Sequence, residues 1–253
     1  MDQLPIDSLL PDIRTALAER GCAVVEAPPG AGKTTRVPLA LLDAPWLVGR
    51  KLVMLEPRRL AARAAATHMA RMLGEQPGET VGYRVRMDSR IGPQTRIEVV
   101  TEGVLTRLLQ TDPALSGYGG VIFDEFHERS LNADLGLALC LEARQALRPD
   151  LRLLVMSATL AGEPVAALLD NAPQLRSEGR SYPVATHYLT PVAGKRLETA
   201  VAPVVHRVLQ QETGSVLVFL PGGGEIRRLA ALLAGQLPAD VELMPLYGDL
   251  SQA

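Results

Sequence analysis

Residues 27–35, APPGAGKTT, follow a short apolar run and open an amphipathic one. The pattern is that of a P-loop, with Ala27 standing where the first glycine usually does. Compact residues let backbone N–H groups wrap a phosphate, and a helix beginning at that point adds the positive end of its dipole. Pro29, Gly30, Ala31, Gly32, Lys33, Thr34 and Thr35 are therefore the candidate nucleotide-binding residues, with ATP the expected ligand. Lys33 would hold the β- and γ-phosphates, and Thr34 would ligate Mg²⁺. Such a site needs a second source of carboxylate to complete the metal's surroundings and to handle water. GVIFDEFHERS, residues 120–130, supplies one by running from an apolar strand straight into Asp124 and Glu125. Asp124 would reach Mg²⁺ through its water shell, and Glu125 would orient or deprotonate the attacking water. Lys33, Asp124 and Glu125 are the candidate catalytic groups.

The elements that must position these residues are legible as alternating patterns. CAVVEA (22–27), KLVMLE (51–56), RIEVVT (96–101), GVIFDE (120–125) and LRLLVMSA (151–158) read as strands buried on both faces. Amphipathic stretches at 34–42, 58–73, 104–109 and 132–147 lie between them. Strand–helix alternation is the mark of a parallel sheet flanked by helices, which binds ligands at the carboxyl ends of its strands. SEGRSYPV (177–184) breaks the pattern and is expected to be a linker. Beyond it, 196–211 and 225–237 read as helices, and SVLVFLP (215–221) and VELMPLYG (241–248) as buried strands. The expected fold is α/β: a P-loop domain over 1–178, then 179–253 as linker and the start of a second α/β domain.

Composition sets outer limits. The chain has 253 residues, 47% of them apolar, and a net charge of −2, which gives no global sign of a polyanionic partner. Between Pro57 and Arg107, however, nine arginines face five acids. That stretch is either a local basic surface or a set of solvated helix faces, and charge alone does not choose. Cys22 and Cys140 are far apart and sit in apolar runs, as small buried residues do, so neither a disulfide nor a metal site is expected. With no basic leader and no apolar run of membrane-spanning length, a cytoplasmic protein that contacts no membrane is expected.

Taken in order, APPGAGKTT, EPRRLAAR (56–63), TEGVL (101–105), DEFHERS (124–130) and SAT (157–159) resemble the motif set of the DEAH-box helicases of superfamily 2. DEFHERS, SEGRSYPV, FLPGGGEI (219–226) and PLYGDLS (245–251) are similar to the bacterial HrpB-type branch of that family. The resemblance implies RecA-like domains, the first over 1–178 and the second begun within 179–253, and ATP-dependent movement along single-stranded nucleic acid, RNA ahead of DNA, with strand unwinding. It implies strand contacts by Arg58, Arg59 and Thr101, joined by Arg86 of GYRVRMD, all to the sugar–phosphate backbone. It makes Ser157 and Thr159 a link between nucleotide and strand sites, has His127 reach toward the second domain, and has Arg129 brace its loop.

The sequence departs from the family where an arginine that stacks on adenine is expected and His68 stands instead. The resemblance also places the family's later motifs, including an arginine segment that reaches the γ-phosphate, after PLYGDLS, so the chain is expected to be an N-terminal part with little turnover of its own. A nucleotide-dependent binding module without catalysis is the alternative, and a small-molecule kinase sharing the P-loop is a more distant one.

Overall fold

The computed structural model describes residues 3–158, 162–178, 183–189, 194 and 196–247. The chain divides into two compact units, Met1–Tyr182 and Pro183–Ala253. In the first unit the order is α1 (Leu10–Glu19), β1 (Cys22–Glu26), α2 (Lys33–Ala40), β2 (Lys51–Leu55), α3 (Arg59–Met72), β3 (Val81–Val85), β4 (Asp88–Arg90) and β5 (Ile97–Val100). It continues with α4 (Glu102–Thr111), β6 (Tyr118–Phe123), α5 (Leu131–Ala146), β7 (Arg152–Ser157), α6 (Gly162–Leu168) and β8 (Gln174–Arg176).

The eight strands form one sheet in the order β4-β3-β5-β2-β6-β7-β1-β8. Every pairing is parallel except β3 with β4. The five strands expected from apolar runs are present, and β1 and β6 are buried along their whole length. Helices on both faces explain this: one core gathers Val25, Met54, Ile97 and Ile122 with α1, α2 and α3, and the other gathers Val24, Val53, Val121 and Phe123 with α4, α5 and α6. The fold is α/β with a mostly parallel sheet.

Several elements were not expected. β3 and β4 lie in VGYRVRMDSR, whose arginines hide the strand pattern, and they form a hairpin at the sheet edge, where one face can carry charge. Their close approach depends on Gly82, because a Cβ there would stand 2.3 Å from the Arg90 carbonyl oxygen. α1, α6 and β8 add cover and an opposite edge.

In the second unit α7 (Leu197–Gln211) and α8 (Gly223–Leu233) pack through Val205, Leu229 and Leu233. The strands expected at 215–221 and 241–248 do not form over 215–221 or 241–247, and Gly248 lies outside the described residues. Val218 and Leu220 turn toward the helices, while Leu217 and Phe219 remain 74% and 86% exposed. Side chains thus alternate as in a strand, but a strand is made by neighbours that take its N–H and C=O groups, and among the described residues these segments pair with none.

Candidate active site and nucleic-acid interface

Because the central strands run parallel, their carboxyl ends share one edge of the sheet, and each expected motif sits just past one of them. The P-loop follows β1, Glu56–Arg59 follows β2, Thr101 follows β5, Asp124 and Glu125 follow β6, and Ser157 closes β7. Strand order then sorts them: β6, β7 and β1 carry the nucleotide-type residues, while β3, β5 and β2 carry the arginines.

At β1, Gly32 is the N-cap of α2 with φ 97°, a conformation that suits glycine. The amides of Gly30, Gly32, Lys33 and Thr34 donate to no backbone carbonyl among the described residues. They form an anion cradle at a helix N-terminus. Lys33 is only 4% exposed, and its Nζ donates to the carbonyls of Ala27 (2.5 Å) and Pro28 (3.3 Å), within the loop itself. Ala27 is itself held by the Ser157 carbonyl at 3.1 Å.

Asp124 is 2% exposed, its Oδ1 accepts from the Glu125 amide at 2.9 Å, and its buried Oδ2 has no hydrogen-bond partner among the described residues. Burial, and then the charge of Glu125, push its carboxyl up to about 6, against the lowering effects of the Thr34 hydroxyl and Lys33. A buried carboxylate oxygen without a partner beside a hydroxyl and a lysine is a donor set that fits a hard cation such as Mg²⁺.

Glu125 adopts a left-handed conformation (φ 48°) at the start of a 3-10 turn, and Arg129 adopts another (φ 48°) at its end. Each costs about 1–3 kcal/mol in a residue with a side chain and persists only where surroundings enforce it. Arg129 is braced by Asp134 at 2.9 Å and lies over the Phe126 ring. The His127 Nδ1 accepts the Ala158 amide at 3.2 Å and lies 3.3 Å from a Glu125 carboxylate oxygen. His127 thereby ties the DEFHERS loop to the end of β7. Thr159 lies outside the described residues.

Glu56 is a member of this cluster that the sequence reading did not single out. It is buried, and desolvation, then the charges of Asp124 and Glu125, raise it to about 8. Only sheet order could reveal it, since β2 and β6 are neighbours in space and 68 residues separate Glu56 from Asp124.

On the other side, a groove of about 920 Å³ runs between α4 and the β3–β4 hairpin. Arg59, Arg86 and Thr101 line it, joined by Arg84 and Arg107, which were not expected. The guanidinium groups of Arg59, Arg86 and Arg107 make no hydrogen bond or ion pair with any described residue. Arg84 is anchored by Glu98, a fully buried carboxylate that also receives Lys51 and Tyr118. Arg63 of α3 pairs with Asp88, to which the Tyr83 hydroxyl donates at 3.1 Å, and this fixes the hairpin. Arg58 is not part of the groove. It pairs with Glu128 at 2.6 Å and lines a smaller hollow of about 240 Å³ that reaches Asp124 and Glu125.

Comparison with known proteins gives this arrangement a context. A family model described as DEAD/DEAH box helicase matches residues 12–168. The ATP-dependent RNA helicase HrpB of Escherichia coli is 54% identical over 99% of this chain, which covers 31% of that protein. The ATP-dependent RNA helicase HrpA of Escherichia coli is 33% identical over the whole chain, which covers 20% of it. A crystal structure of Escherichia coli DEAH/RHA helicase HrpB superposes with a TM-score of 0.92 over 98% of this chain and 32% of that one. The chain thus spans a third or less of the length of these relatives.

Proposed function

The chain belongs to the DEAD/DEAH box helicase family, and from that premise we propose that it is the nucleotide-binding part of an ATP-dependent RNA helicase. Residues 1–178 serve as the RecA-like ATP-binding domain, and 179–253 as linker and the front of a second such domain. Lys33 and the amides of Gly30, Gly32, Lys33 and Thr34 hold the phosphates. Thr34 and the Oδ2 of Asp124, which has no hydrogen-bond partner among the described residues, would hold Mg²⁺, which when bound would neutralise charge on the phosphates. Pro29, Ala31 and Thr35 complete the cradle. Glu125 holds the attacking water and accepts its proton, while Ser157, Thr159, His127 and Arg129 connect that step to the sheet edge. Arg59, Arg86 and Thr101 take the sugar–phosphate backbone of a single strand, and Arg58 joins them from the adjoining hollow. Such contacts position a strand without reading its sequence. Two buried, unpaired cysteines support a cytoplasmic setting. No helix of the described residues is long and apolar enough to cross a membrane.

The observation that carries this reading is the placement, along one sheet edge, of a lysine-bearing amide cradle and a groove lined by three arginines whose side chains have no partner among the described residues. Binding of oligouridylate across a salt series tests it. Replacing Arg59, Arg86 and Arg107 together with glutamine should flatten the slope of log affinity against log salt by about 2, at roughly 0.7 per contact for single strands. An unchanged slope places the strand elsewhere.

A further inference from the structure

Pro57 and Glu102 are the two residues that line both the arginine groove and the smaller hollow. Glu102 opens α4, directly after Thr101. Its carboxylate accepts the Ser130 hydroxyl at 2.5 Å and the Asn132 amide at 3.4 Å. The same Ser130 oxygen accepts the Ala133 amide at 3.0 Å as the N-cap of α5. Ser130 is therefore the fixed end of the DEFHERS loop, and the carboxylate fixing it belongs to the helix that forms one wall of the groove.

Between Asp124 and Ser130 the loop contains both left-handed residues, Glu125 and Arg129. Backbone held in such conformations persists only where its surroundings enforce it, so releasing one end would favour a second, more relaxed arrangement of the loop. A strand lying against Thr101 and Gly103 touches the first turn of α4 and so bears on Glu102. A ligand shifts such an equilibrium only by contacting the two arrangements differently, and Glu102 is placed to create that difference.

We propose that Glu102, through its hydrogen bond to Ser130, is the positioning residue that couples a strand in the groove to the DEFHERS loop and hence to Glu125. The inference rests on the function proposed above, because it requires both a nucleotide site and a strand site. Glu102 itself touches neither nucleotide nor reacting water. Its effect passes along one bond from α4 to the start of α5 and then back through five residues to Glu125.

Linkage between the two ligands tests this. Affinity for a fluorescent 12-residue oligouridylate is measured with and without saturating Mg·ADP and a non-hydrolysable Mg·ATP analogue, which coupling should separate by about 5- to 150-fold. In Glu102→Ala the separation should fall below about twofold, while nucleotide affinity without the strand stays as in the wild type. Glu102→Gln, which keeps an acceptor oxygen, should retain most of it. Ser130→Thr should also retain it and Ser130→Ala should lose it, so the role does not rest on one variant's folding. Undiminished linkage in Glu102→Ala, or equal linkage in the two Ser130 variants, overturns the inference. A wild-type chain that binds both ligands without linkage overturns it too, yet leaves the proposed function standing. Failure of the wild type to bind oligouridylate at all removes the function reading itself.

Discussion

Glu56 shows how a neighbour in space can set the chemistry of a single carboxylate. Raised to about 8 by burial and by the charges of Asp124 and Glu125, it is protonated in the fold and ionised in the unfolded chain between its ordinary value of 4.5 and about 8. Folding therefore takes up a proton in that window, and the protein loses stability as pH rises through it. Without nucleotide or Mg²⁺, Glu56→Gln should leave stability unchanged near pH 4 and increase it by on the order of 2–4 kcal/mol near pH 8, by urea denaturation. Parallel pH profiles for the two proteins would show that Glu56 is not a buried acid. The residues legible from sequence were those whose chemistry is written locally. Lys33 and Thr34 follow a compact loop, and Asp124 follows an apolar strand. Glu56, Arg84, Arg107 and Glu102 were passed over because their roles depend on which strands and helices become neighbours, and spacing along the chain does not say.

At the scale of elements, the central strands were readable because burial on both faces demands an unbroken apolar run, as in VIF (121–123) and VML (53–55). The hairpin of β3 and β4 was not, because an edge strand can carry Arg84 and Arg90 toward solvent and groove. Its glycine gives a direct test. Gly82→Ala forces a Cβ against the Arg90 carbonyl oxygen at 2.3 Å, so the hairpin must open. A loss of about 1–3 kcal/mol in urea denaturation is expected, in the range of overpacked sites. Strand affinity should fall with it, because Arg86 rides on the turn between the two strands, and nucleotide affinity should not. Wild-type stability in Gly82→Ala would mean that the hairpin is not held as closely as described.

For the whole molecule, net charge of −2 concealed the groove, because acids elsewhere balance the arginines that the sheet collects at one edge. The second unit shows the converse limit. VLVF (216–219) and VELM (241–244) have the apolar pattern of strands, yet pattern reports readiness for burial and says nothing about whether a partner strand is at hand. What unites the first unit is the parallel sheet, which delivers the glycine-rich loop of Lys33, the buried carboxylate of Asp124 and an arginine-lined groove to one edge. That arrangement stands on nucleotide being held at Lys33. Titration calorimetry of Mg·ATP into the wild type and Lys33→Ala tests it most directly. Removing a charged hydrogen-bonding group from phosphate should cost about 1.5–3 kcal/mol, so affinity should fall at least roughly tenfold in a variant that still unfolds cooperatively without nucleotide. Equal affinity in the two proteins would contradict the assignment of the loop as the ATP site, and with it the function proposed for the chain.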